Sequence, residues 1–108
     1  MINNENKIYG LLGLAMKAGK LTFGTESCID MLNKNKIKLL ILAKDSSERT
    51  IENFQRICKE KNIIVYTFGS KAEISKSIGK NNKTVIGIRD KNLAWAIKKI
   101  LDGGDVIG

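Results

Sequence analysis

Histidine and proline are absent from the chain, and cysteine occurs only twice in its 108 residues. Without an imidazole there is no ready general base, and Cys28 and Cys58, thirty residues apart, have neither the spacing nor the histidine partners of a zinc site or an activated nucleophile. No catalytic residue, metal ligand or cofactor is therefore assigned. Each cysteine instead falls on an apolar helical stripe, Cys28 with Met31 and Leu32, Cys58 with Ile51 and Phe54, the pattern of a buried structural thiol. Reduced thiols suit a cytoplasm, which is the expected location. No apolar run reaches transmembrane length and no charged start with an apolar centre marks a secretory signal, so a soluble protein with no membrane partner is expected. There is no low-complexity stretch, internal repeat or linker, and the length fits one domain, residues 1–108.

Acids are also scarce. Nineteen Lys plus Arg against eleven Asp plus Glu leave a net charge of +8 and a pI near 9.6, which acts through attraction to polyanions rather than through fold. RNA, DNA and anionic lipid all qualify, with lipid the weaker option. Glu26 and Asp30 lie one helical turn apart, but nothing supplies them with a pocket or a base partner, so acid catalysis and a small-molecule substrate are not expected. The run GSKAEISKSIGK interleaves glycine and lysine, yet Gly69 and Gly79 are too far apart for a nucleotide-binding loop, and Gly79-Lys80 is followed by Asn81 rather than Ser or Thr.

What is present is a regular alternation of elements. Ile8, Leu11, Leu12 and Ala15 recur at helical spacing, predicting a helix over Glu5 to Ala18 in which Gly10 and Gly13 suggest close packing on a neighbour. A second helix runs from Gly24 to Asn33. Lys38 to Ala43 is a continuous apolar run suited to a central strand buried on both faces, Ile63 to Phe68 reads as a second central strand and Thr84 to Ile88 as a third strong strand. Asp45-Ser46-Ser47-Glu48 caps a third helix ending near Asn62, Gly69-Ser70 caps a short one from Lys71 to Ile78, and Asn92 caps a last one to about Leu101. The tail from Asp102 to Gly108 is expected to fray. The alternation predicts an α/β fold, a three-layer α/β/α sandwich around a central mixed four-stranded sheet.

One stretch carries more than architecture. In LLGLAMKAGKLTFGTE, Leu11 to Glu26, an apolar helix halts at Gly19, a short extended piece follows, and Gly24-Thr25 opens a new helix. The free N–H groups and the positive macrodipole end collected there favour an anion such as a phosphate, and Lys17 and Lys20 lie just upstream in sequence. Further positive charge clusters at Lys34, Lys36, Lys38 and Lys44, and again at Lys76, Lys80, Lys83 and Arg89. Among the few aromatics, Phe23 stands beside Gly24, where a ring can stack on an unpaired base, although core packing is the commoner fate. Trp95 falls opposite the buried stripe of the last helix, beside Lys98, Lys99 and Asp102, where an exposed ring marks a protein contact or a crystal dimer, or simply lies over a Lys stem.

The segments LLGLAMKAGKLTFG, KLLILAKDSSERT, VYTFGSKAEISKSIGK and VIGIRD resemble the ribosomal protein L-seven-Ae and L-thirty-e family of kink-turn RNA binders, in its bacterial YlxQ-type branch, from about Lys7 to Leu101. The resemblance implies a non-catalytic domain that binds structured RNA through its first short strand, the amino end of the second helix and the loop before the last strand. Those are Lys20 to Thr22, Gly24 to Ser27, and Gly79 to Lys83 here. The family's motif is Gly, any residue, Asn, Glu, two residues, Lys; this chain keeps Gly24 but carries Glu26, Ser27 and Asp30 at the three functional positions. An acid in place of a cation near phosphates lowers affinity, so kink-turn specificity stays open beside general RNA binding. The expected RNA-binding residues are Lys17, Lys20, Thr22, Phe23, Gly24, Thr25, Glu26, Ser27, Lys34, Lys36, Lys44, Lys80, Asn81, Asn82 and Lys83. The expected partner is ribosomal or another structured RNA, with ribosome association. The alternative is a protein-interaction module centred on Trp95 that binds a translation or RNA-processing factor. A DNA-binding domain has less support, since no helix-turn-helix pattern appears.

Overall fold

The computed structural model describes residues 4–103, which form α1 (Asn4–Lys17), β1 (Leu21–Phe23), α2 (Thr25–Asn33), β2 (Leu39–Leu42), α3 (Glu48–Lys61), β3 (Ile64–Thr67), α4 (Lys71–Ser77), β4 (Val85–Ile88) and α5 (Lys91–Leu101). Beyond residue 103 the expected frayed tail lies outside the described residues. The strands make one mixed sheet in the order β1-β4-β2-β3: β4 is antiparallel to both β1 and β2, and β2 is parallel to β3.

Side-chain alternation divides the core between the two faces of the sheet. Leu39, Ile41, Ile86 and Ile88 point to one face and are covered by Ile8 and Leu12 of α1, Ile74 of α4, and Ala94 and Ile97 of α5. Leu40, Leu42 and Val85 point to the other and are covered by Cys28 and Leu32 of α2 and Phe54 and Cys58 of α3. This is the three-layer sandwich expected, with β2 and β4 buried on both faces. Each buried aliphatic chain contributes about 1.5–3 kcal/mol by leaving water.

Ile63 to Phe68 does not supply a central strand: β3 is the edge of the sheet, with Ile64 43% exposed. Its apolar side chains are only partly covered: Ile63 and Val65 pack against the cluster beneath α2 and α3, Tyr66 packs against the opposite one, and no residue of the strand is fully buried. The cap of α5 is also not Asn92. Asp90 takes that place, its carboxylate accepting from the Leu93 amide at 2.9 Å, so the helix opens at Lys91, ahead of the start that an Asn92 cap would set. Of the two α1 glycines only Gly13 marks a close approach. A Cβ there would sit 3.1 Å from the Ser77 carbonyl oxygen of α4, whereas one on Gly10 would meet nothing within 4 Å.

The register defines two ends of the sheet. Phe23, Leu42, Val85 and Thr67 lie at one, next to Gly24; Leu21, Leu39, Ile88 and Ile64 lie at the other, next to Asp90.

Candidate nucleic-acid interface

The Gly24 end is built by three chain segments. β1 delivers Phe23, and the chain then turns at Gly24, whose φ of 93° and ψ of 153° suit glycine alone. The Gly24 amide donates to the Val85 carbonyl at 2.9 Å, which pins the turn to β4. α2 begins at once, and no side chain caps it, so the first-turn amides of Thr25, Glu26 and Ser27 keep their donor capacity at the surface. Beneath them the Cys28 thiol donates weakly to the carbonyls of Thr22 and Val85, at 3.6 and 3.8 Å, holding α2 onto β1 and β4.

The third segment is the loop Gly79 to Lys83. Gly79 and Asn82 adopt left-handed backbone, φ 71° and 56°, which gives the loop its tight reversal. Its anchor is Ser75, a buried polar residue of α4. Ser75 Oγ accepts from the Lys83 amide at 2.8 Å and donates to the Lys83 carbonyl at 3.2 Å, while the Lys80 amide donates to the Ser75 carbonyl at 2.8 Å. So held, Lys80 and Lys83 extend back over β1 and place their ammonium groups 5.3 and 5.4 Å from the centre of the Phe23 ring. Phe23 is half-buried against the core, which accounts for its packing role, and its outer face meets the two cations.

Two clefts flank this point. One of about 400 Å³ is lined by Lys71, Ser75, Lys76, Lys80, Asn81 and Asn82. The other, about 320 Å³, separates the amino ends of α2 and α3 and is lined by Thr25, Arg49, Thr50, Asn53 and Phe54. Lys44 follows β2 at the same end of the sheet, its amide on the Gly69 carbonyl at 2.8 Å. Arg49, Asn53 and the Ser75 anchor escaped the sequence reading. Ser47, which caps α3 by accepting from the Thr50 amide, was the available signal that a second helix start faces outward here; the inward turn of Ser75 had no sequence signal at all.

Not every expected residue joins this face. Lys17 and Lys20 precede β1 at the Asp90 end, roughly 13 Å of strand away from Gly24 at about 3.3 Å per residue. Lys20 pairs there with Asp90 at 3.2 Å. Lys34 and Lys36 follow the far end of α2, with Lys34 paired to Asp30 at 3.1 Å, and the Lys38 amide already reaches the Ile88 carbonyl at 2.7 Å. Arg89 donates to the Gly19 carbonyl at that same far end. Both sequence clusters of positive charge are therefore split by β2 and β4, which carry the chain from one end of the sheet to the other.

Burial pushes the Cys28 thiol up to about 12 and the Cys58 thiol up to about 11, so neither is a thiolate near neutrality. Among the described residues no cluster of three or more metal-ligating side chains occurs, and no helix is long and apolar enough to cross a membrane.

Residues 6–96 match the model of the Ribosomal protein L7Ae/L30e/S12e/Gadd45 family, and the chain belongs to that family. Within it, the chain is 36% identical over 100 residues to a protein of Enterococcus faecium named RNA-binding protein YlxQ, covering 93% of this chain and 96% of that one. A solved protein of unknown function from Bacillus halodurans superposes with a TM-score of 0.86 at 28% identity, covering 89% of this chain and 97% of the other. The Giardia lamblia 15.5kD RNA binding protein superposes with a TM-score of 0.78 over 100% of this chain and 93% of its own, at 15% identity, a likeness of fold.

Proposed function

We propose that this chain is a non-catalytic RNA-binding domain of the cytoplasm that holds structured RNA at the Gly24 end of its sheet, in the setting of the ribosome. The observation that carries this reading is the meeting of the uncapped α2 amino end, Phe23, and the Lys80 and Lys83 ammonium groups at one surface point. Amides and ammonium groups bind phosphate oxygens, and a ring supports an unstacked base, so the site is suited to a bent or bulged backbone rather than to reading a sequence along a groove. Glu26 and Asp30 stand where a kink-turn reader carries Asn and Lys, and Asp30 is already paired with Lys34. On this reading recognition rests on backbone shape; the name of the Enterococcus relative and the family match support RNA binding itself.

The test is a titration with a kink-turn RNA and a straight duplex of equal length, each at low and near-physiological salt. Preference for the bent RNA that survives added salt is the expected result. Equal and salt-sensitive binding to both would leave only a general polyanion surface, and no binding to either would overturn the reading.

A further inference from the structure

At the Asp90 end, away from the proposed RNA face, a groove of about 400 Å³ opens between β3 and α5. Its walls are Leu39, Ile64, Ala94 and Trp95, and Lys38 and Lys91 stand at its rim. Trp95 is 64% and Ile64 43% exposed, two of the three exposed large hydrophobic residues among those described. Exposed apolar side chains that converge on one concavity, rather than scattering, mark a contact surface. β3 is also the open edge of the sheet, with a row of backbone groups paired on one side only.

The charge around the groove selects its occupant. Lys38 and Lys91 have no ion-pair partner among the described residues, in contrast to Lys98, whose ammonium is 2.8 Å from the Asp102 carboxylate. With a net charge of +8, a second copy of the chain is repelled rather than attracted. A polypeptide suits the groove better than a nucleic-acid base: three of its four walls, Leu39, Ile64 and Ala94, are aliphatic, Asn92 is the one polar uncharged side chain lining it, and the open backbone edge of β3 beside it can be extended only by another main chain. We propose that this groove docks an extended acidic segment of a partner protein, laid along the edge of β3, with an apolar side chain against Trp95 and Ile64 and carboxylates against Lys38 and Lys91. Main-chain pairing along an open edge, with alternate side chains set into a pocket, is an established mode of peptide recognition. The surface is separate from the RNA face, so both partners can be held at once.

Trp95 is the sole tryptophan and reports on its own groove. A random peptide library displayed on phage is selected on the full chain, with counter-selection on Trp95→Ser, and synthetic copies of the enriched peptides are titrated by tryptophan emission. The expected outcome is enrichment of acidic peptides bearing an aromatic or aliphatic side chain, which blue-shift Trp95 saturably. Affinity should fall about tenfold or more in Ile64→Ser and in Lys38→Glu combined with Lys91→Glu, while RNA binding by the charge-reversed variant changes far less than when Lys80 and Lys83 are reversed. Because the charge-reversed positions are at the surface, that variant keeps the test sound if Ile64→Ser folds poorly. The proposal is overturned if no enriched peptide depends on the groove, if the peptides lack acidic bias, if charge reversal leaves affinity unaltered, or if oligouridylate shifts Trp95 at lower concentration than any peptide. A concentration-dependent emission shift of the protein alone would assign the groove to a second copy instead.

Discussion

Lys80 and Lys83 lean over one ring at nearly equal distance, so each covers the other's loss in part, and the two must be changed together. Reversal of both to glutamate is expected to weaken structured-RNA binding by about tenfold or more and to lower the slope of log affinity against log salt by about 1 per lost phosphate contact, read in titrations at several salt concentrations. Phe23→Leu, which preserves core packing but removes the ring, should weaken binding less, because stacking supplements the phosphate contacts. The two thiols give a second residue-scale expectation. Their folded values, about 12 for Cys28 and about 11 for Cys58, lie above the ordinary 9.0, so the unfolded chain loses these protons first as pH rises. Their contribution to stability is thus complete below about pH 9 and declines as pH climbs through the folded values. Urea midpoints should fall between neutral and strongly alkaline buffer, and fall less in a Cys28→Ala, Cys58→Ala variant; equal decline in both would place the alkaline sensitivity elsewhere.

The elements that carry the site depend on anchors inside them. Ser75 on α4 satisfies both the amide and the carbonyl of Lys83, and Ser75→Ala leaves those groups short of a partner in a tight loop. A loss of about 1–3 kcal/mol in thermal or urea unfolding is expected, together with weaker RNA binding through a loosened loop; Ser75→Thr, which keeps the hydroxyl, tests whether the bond or the volume matters. The elements themselves were well marked in the sequence. Ile8, Leu12 and Ala15 repeat at helical spacing, β2 is apolar throughout, and Ser47 and Ser70 stop one pattern and start the next. The position of β3 was not legible, because Ile63 to Phe68 is as apolar as a central strand and only strand order shows that one side has no neighbour. Asp90 was overlooked as a cap for a related reason: a carboxylate and an amide two residues apart both suit a helix start, and the side-chain bond to Leu93 decides between them. At the candidate site, the helix start at Gly24 was readable from backbone chemistry, whereas the Gly79 loop was readable only as a turn and is joined to that surface by the family resemblance. Which lysines accompany them was not readable, because sequence neighbours such as Lys38 and Lys44 are sent to opposite ends by the strand between them.

Across the whole molecule, positive charge is therefore divided between two ends with different companions. Neutralising Lys17, Lys34 and Lys36 together, each to glutamine, should lower RNA affinity only modestly through net charge, and much less than the Lys80 and Lys83 reversal; a loss of similar size would show the RNA wrapping both ends. The sheet order has a further consequence in time. Phe23 finds its partner at Ile86, and Gly24 at Val85, so the proposed RNA face joins segments some sixty residues apart in the chain. Contacts of such separation close late and slow folding. As the protein is synthesised, the turn at Gly24 leaves the ribosome long before β4 exists to hold it, and the early chain carries positive charge without the shape that directs it. Only when Ile88 has emerged and β4 has slotted between β1 and β2 is the proposed RNA face assembled, so the last strand to be made acts as the latch that gathers Phe23, Gly24 and the Gly79 loop into one surface.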